Sequence, residues 1–164
     1  MKKSIIIILI LGVITAIGCE NTKGQTDKKN DAVKEVTKAD KSVWKTKLTP
    51  NQYHIMVEQG TETPYKNEYW NNHQKGVYVS AATGEVLFTS DDKFDSGTGW
   101  PSFVKPVSMS KIAIVTDRSF GMSRDEVVEK STGLHLGHVF DDGPADRGGK
   151  RYCMNSGALK FIKK

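Results

Sequence analysis

Cys153 sits in the stretch Gly149-Lys-Arg-Tyr-Cys-Met-Asn-Ser-Gly-Ala-Leu-Lys-Phe161, where Tyr152, Met154 and Phe161 supply the apolar and aromatic content of a strand. Side chains alternate between the two faces of a strand, so Arg151, Cys153 and Asn155 share one face and Tyr152, Met154 and Ser156 the other. A guanidinium two residues from a thiol favours the thiolate, the form that attacks electrophiles. An amide two residues to the other side can hold a substrate or fix a rotamer. The competing reading is a buried cysteine packed as a small hydrophobe, with Arg151 solvated at an edge.

Two further stretches carry chemistry. In His135-Leu-Gly-His-Val-Phe-Asp-Asp-Gly-Pro144 the two histidines are three apart, and they meet on one face if the strand bends at Gly137. Asp141 and Asp142 follow within reach of an imidazole, so His135 and His138 read either as a proton-donor set or as metal ligands. With Cys153 as a further ligand zinc is conceivable, but structural zinc sites in small domains use closely paired cysteines, and none occur here. In Phe94-Asp-Ser-Gly-Thr-Gly-Trp-Pro-Ser-Phe103, Gly97, Gly99 and Pro101 hold Trp100 in a defined pose. An indole held on a loop makes a seat for a small apolar group such as a methyl; the alternative is a tryptophan that plugs the end of a sheet.

The elements that must position these residues are short. Thr49 and Pro50 open a helix as N-cap and first helical residue, Tyr53, Met56 and Val57 give it an apolar face, and Gly60 ends it. Residues 61–72 are irregular, with a helical turn near 66–71. Residues 76–81 and 85–89 form a hairpin across Ala82-Thr-Gly84, and 91–106 is a polar loop. Residues 107–116, 119–122, 126–129 and 134–140 read as strands, 141–149 as a second polar loop, and the Cys153 strand closes the chain. Antiparallel sheets packed with helices at one edge follow from this pattern.

The first part of the chain has a different character. Met1-Lys-Lys-Ser precedes Ile5 to Ile17, an apolar run of 13 residues, shorter than the roughly 20 that span a bilayer and of the size found inside a secretory signal. It closes on Ala16-Ile-Gly-Cys19, which resembles a bacterial lipoprotein signal. Residues 1–18 are therefore expected to be a signal peptide and Cys19 a lipidated N-terminus that anchors the exported protein to a membrane, on a periplasmic or cell-surface face. Residues 19–47, rich in Lys, Asp, Asn and Thr, are expected to be a disordered tether. The leader holds two lysines and the tether eight against five acids, so residues 48–164 hold 14 basic and 14 acidic residues of the whole chain's 24 and 19. The net charge of +5 belongs to the leader and tether, and a nucleic-acid footprint on the folded part is not supported. Because Cys19 is the only other cysteine, the domain has no internal disulfide.

GTGWPSF, HLGHVFDDGP and RYCMNSGALKF, in this order, resemble the type B methionine-R-sulfoxide reductase family, and the resemblance runs from about Leu48 to the end. It implies a mainly β fold of two antiparallel sheets packed together with short N-terminal helices. It implies Cys153 as the nucleophile that attacks sulfoxide sulfur and His138, supported by His135 and Asp142, as the group that delivers a proton to the oxygen. Arg151 would assist ionisation of the cysteine, Asn155 would position the site, and Trp100 would seat the substrate methyl and so select one epimer. The expected products are methionine and a cysteine sulfenic acid. Where many members carry paired zinc cysteines this chain reads Ser80-Ala-Ala-Thr83 and Glu129-Lys-Ser-Thr132, so no metal is expected. Where many carry a resolving cysteine it reads Thr98, so an external thiol, thioredoxin-like or small, would reset a monomeric enzyme. The rival classes are a thiol peroxidase using the same cysteine and a non-catalytic metal-binding lipoprotein.

Overall fold

The computed structural model describes residues 38–164. The expected signal peptide, the lipidated Cys19 and most of the expected tether lie outside them. The end of that tether is helical: α1 spans Lys38–Lys47, and its Trp44 packs against the core of the domain.

Helix α2, Pro50–Met56, begins as its residues dictate. Thr49 accepts from the Gln52 backbone N–H at 3.3 Å, and the Gln52 side chain accepts from the Thr49 N–H at 3.0 Å, which satisfies two end donors reciprocally. Ile55 and Met56 are fully buried. The helix stops short of Gly60, because Gln59 turns into the left-handed region at φ 58°.

Nine strands follow: β1 Gly76–Ser80, β2 Val86–Thr89, β3 Lys93–Phe94, β4 Ser102–Phe103, β5 Ile112–Asp117, β6 Arg124–Glu129, β7 His135–Phe140, β8 Arg151–Met154 and β9 Leu159–Lys163. They form two antiparallel sheets, ordered β2-β1-β9 and β3-β4-β8-β7-β6-β5. Aromatic rings of both sheets meet in the core. Phe88 stacks on Phe103 at 4.4 Å between centroids, and Tyr78 meets Phe103 edge-on at 5.0 Å.

The fold is the expected one, with four local corrections. The stretch around Cys153 is two strands rather than one. A 3₁₀ turn at Ser156–Ala158 breaks it, so that β8 lies in the large sheet and β9 in the small one. The loop expected over 91–106 contains β3 and β4, two-residue strands that no local pattern announces, because they form only by pairing, β4 with β8 and β3 with β4. The strand expected over 107–116 begins only at Ile112. Residues 119–122 are not a strand: Asp117 Oδ1 accepts from the Ser119 N–H at 2.8 Å, and this local bond closes a 3₁₀ turn over Ser119–Gly121.

Candidate active site

β4, β8 and β7 are neighbours in the large sheet, and their register assembles the site. Cys153 faces Ser102 on one side and His138 on the other. Directly opposed residues in an antiparallel pair hold their side chains within contact range. Gly137 lies beside Cys153 in this crossing, and a β-carbon on it would collide with the Cys153 carbonyl oxygen. Residues three apart on a regular strand point to opposite faces. Here the β6–β7 register slips between Val127, opposite Gly137, and Val128, opposite His135. The extra residue in this bulge brings the His135 and His138 rings together at 5.4 Å between centroids, as the glycine between them suggested.

The two histidines then part in role. His138 Nε2 lies 3.0 Å from Asp117 Oδ2. The Asp117 carboxyl is held well below the usual carboxylate range, first by the Ser119 backbone N–H and hydroxyl and then by His138 and Arg124. It is therefore an acceptor, which places a proton on Nε2 and leaves Nδ1 to take up and release another. Burial, with the positive charge of Arg124, pushes the imidazole below its ordinary value against the pull of Asp117, so the neutral form predominates at pH 7. His135 is saturated. Its Nδ1 meets Glu126 Oε1 at 2.6 Å, and its Nε2 accepts from the Asn155 amide at 3.4 Å. It serves to orient Asn155.

Asp142 does not support an imidazole as expected. Its carboxylate takes the Arg151 guanidinium through Nε and Nη2, both at 2.8 Å, and the same guanidinium lies 4.4 Å above the Phe140 ring. Asp141 pairs with Lys150 at the surface. Asp142 thus acts on the site only through Arg151.

Cys153 is partly exposed, and Thr98 Oγ1 stands 4.0 Å from its sulfur. Thr98 is joined to Ser96 at 2.8 Å, and Ser96 to Ser102 at 2.8 Å, so a chain of three hydroxyls runs past the sulfur. Arg151 acts on Cys153 in the expected direction, but burial outweighs it. Burial pushes the thiol up, and the charge of Arg151, with hydrogen bonds from Thr98, Ser102 and Arg151, pulls it back only in part. Alkylation of Cys153, followed by mass spectrometry, should therefore accelerate through a midpoint above the free-thiol value of about 8.5. Arg151→Ala should move that midpoint higher still; a midpoint near neutrality would reverse the balance.

Trp100 forms one wall of a cleft of about 120 Å³ whose other walls include Cys153, His138, Asn155, Phe140 and Arg124. That is room for a methyl sulfoxide group. The indole is fixed from behind by Glu62, whose backbone oxygen accepts from Trp100 Nε1 at 3.2 Å. The Glu62 N–H donates to Asn155 Oδ1 at 3.2 Å, and its carboxylate accepts from the Gly157 N–H at 3.1 Å. One residue thus ties the indole, the amide and the turn after Cys153 together. Burial also pushes the Glu62 carboxyl above its ordinary value, in spite of these backbone donors.

Ser80, Thr83, Glu129 and Thr132 also converge. The buried Glu129 carboxylate accepts from Thr83 Oγ1 at 2.5 Å and Thr132 Oγ1 at 2.8 Å, and Ser80 Oγ accepts from the Ala82 and Thr83 N–H groups. Ser80 belongs to β1 in the small sheet and Glu129 to β6 in the large one, so this cluster links the two sheets. Among the described residues no group of three or more His, Cys, Asp or Glu is placed to hold a metal ion.

Asp117, Arg124, Glu126 and Glu62 are the site residues that sequence reasoning missed. Their partners lie 21 residues away for Asp117 with His138 and 93 for Glu62 with Asn155. Only the short spacing of Glu126 from His135, nine residues across one hairpin, could have signalled a pair.

Two antiparallel sheets presenting one cysteine, a histidine opposite it and a tryptophan-walled cleft define a thiol-based enzyme. The family model described as the SelR domain matches residues 48–163, and the chain belongs to that family, the peptide-methionine (R)-S-oxide reductases.

Proposed function

We propose that the protein reduces the R epimer of methionine sulfoxide through a Cys153 sulfenic acid, outside the cytoplasm, as a lipid-anchored repair enzyme without structural zinc. The observation that carries the chemistry is the cross-strand pair of Cys153 and His138 at the floor of the Trp100 cleft. Trp100 seats the substrate methyl and Asn155 orients the sulfoxide. The Cys153 proton passes to His138 Nδ1 and on to the sulfoxide oxygen as the sulfur is attacked. The attack bonds the Cys153 sulfur to the substrate sulfur; the protonated oxygen then leaves with the S–O pair and bonds to the Cys153 sulfur, while the S–S bond breaks and its pair returns to the methionine sulfur. Thiol plus sulfoxide gives sulfenic acid plus thioether, which balances without an outside proton. It also suits a resting pair that is neutral on both partners.

The separated R and S epimers of a blocked methionine sulfoxide test this. Turnover confined to R is expected, and equal turnover of both would sink the assignment.

The absence of zinc rests on the Glu129 cluster. Hydroxyls and a carboxylate with both oxygens already accepting do not suit a metal that seeks thiolate and imidazole. Elemental analysis after mild chelation should find well under one metal per chain, with thermal stability unchanged. One tightly held zinc would overturn the reading.

Reset follows from Thr98. The side chain at the resolving position lies beside the sulfur but carries a hydroxyl, which cannot form a disulfide. A sulfenic acid should accumulate after one turnover without reductant and be trapped by a dimedone-type reagent. An external thiol, from a thioredoxin-like protein or a small molecule, then forms a mixed disulfide at Cys153 or reduces it directly. A Cys19–Cys153 disulfide in the mature protein would refute both this cycle and the lipid anchor. The anchor itself rests on the sequence ending at Ala16-Ile-Gly-Cys19, and the intact mass of the mature chain reads it.

A further inference from the structure

Trp100 has a second face. Away from the cleft it borders a groove formed with Tyr65, Trp70 and the backbone of Gly97 and Gly99, rimmed by Asp95. Tyr65 is 52% exposed and Trp70 36%. The two rings meet edge-on at 5.4 Å between centroids.

These exposed aromatics are held firmly. Tyr65 lies in the left-handed region at φ 60°, a conformation a bulky residue adopts only when its surroundings impose it. Its N–H donates to the Gly99 oxygen at 2.9 Å, and its hydroxyl donates to the Gly97 oxygen. The Trp70 carbonyl is held at 3.2 Å by Lys93 Nζ, a lysine whose side chain is only 5% exposed. The loop that places Thr98 against the Cys153 sulfur therefore fixes the aromatic shelf with the glycines on either side of Thr98.

The opposite rim of the cleft differs. Beyond His138 it opens onto a polar recess that includes Glu58, Asp117 and Glu126. A polypeptide whose methionine sulfoxide enters the cleft meets charge on that side and aromatic surface on the Trp100 side.

We propose that Tyr65, Trp70 and the outer face of Trp100 form a subsite for an apolar or aromatic side chain flanking the methionine sulfoxide in a peptide. The inference rests on the peptide methionine-R-sulfoxide reductase reading and extends it to the sequence around the oxidised residue. A ring laid against this shelf gains apolar burial and edge-to-face contact, with no loop left to order. Asp95, its side chain 69% exposed, sets a negative charge at the rim and disfavours an acidic neighbour.

The test compares kcat/KM for the R epimer in a blocked amino acid with that in short peptides bearing Gly, Phe or Glu on both sides. Phe peptides should exceed Gly peptides by roughly tenfold, mainly through KM, and Glu peptides should fall below both. In Tyr65→Ala and Trp70→Ala the ratio of Phe to Gly should drop towards one. Because the ratio is taken within each variant, a partly folded preparation still reports it, and the wild-type ranking decides the matter if neither variant is soluble. Equal values for Phe and Gly peptides in the wild type, or an undiminished Phe advantage in soluble variants, overturns the subsite. No wild-type turnover of the blocked amino acid or any peptide instead overturns the reductase reading and the subsite with it.

Discussion

Cys153→Ser is expected to abolish sulfoxide turnover. The hydroxyl that replaces the thiol is a far weaker nucleophile at neutral pH, and a far weaker acid, so the imidazole that takes the Cys153 proton cannot ionise it. Cys153 has no deputy either, since the remaining cysteine is Cys19, far ahead of the matched domain. The substitution is nearly isosteric in a position flanked by Gly137, Thr98 and Ser102, so folding should be preserved. A circular dichroism melt that overlays the parent, with turnover below detection, is the anticipated result. Sulfoxide reduction by the serine variant at a measurable fraction of the parent rate would remove Cys153 from the chemistry.

The next largest effect belongs to His138→Ala, which should slow the sulfoxide step by roughly 10² to 10⁴. That is about 3 to 5 kcal/mol of barrier at 1.36 kcal/mol per tenfold. The imidazole is the only group opposite Cys153 on β7 that can carry a proton between thiol and sulfoxide oxygen. The loss should appear in kcat more than in KM, because the methyl seat on Trp100 and the amide of Asn155 remain. His135→Ala should behave differently, since that ring is occupied by Glu126 and Asn155. Its defect should reach KM through a loosened amide. Single-turnover rates of sulfenic acid formation separate the two, and equal, small losses in both variants would show that neither moves the proton.

Much of the site was legible in the sequence because it is carried by three uninterrupted stretches. The alternation of a strand placed Arg151 and Cys153 on one face, and the glycine between the histidines marked the bend that joins them. The cap at Thr49, the hairpin over β1 and β2 and the mainly β class are likewise local properties, set by backbone preference and apolar spacing. Partners are another matter. Periodicity reports which face a side chain occupies, not what a sheet six strands wide brings opposite it. Asp142 stood near the histidines in sequence yet went to Arg151, whereas Asp117, two hairpins earlier, took His138. The same limit hid β4, which exists because β8 pairs with it, and β3, which pairs with β4 in turn, and it turned the segment after Met154 into the other sheet. It decided the state of Cys153 as well. An arginine two residues away draws the thiol toward ionisation, and does so here, but the depth at which packing sets the sulfur outweighs it, because desolvation acts on the whole environment and not on the nearest charge. Residue types and spacing determined which groups could react; tertiary packing decided their partners and their resting protonation.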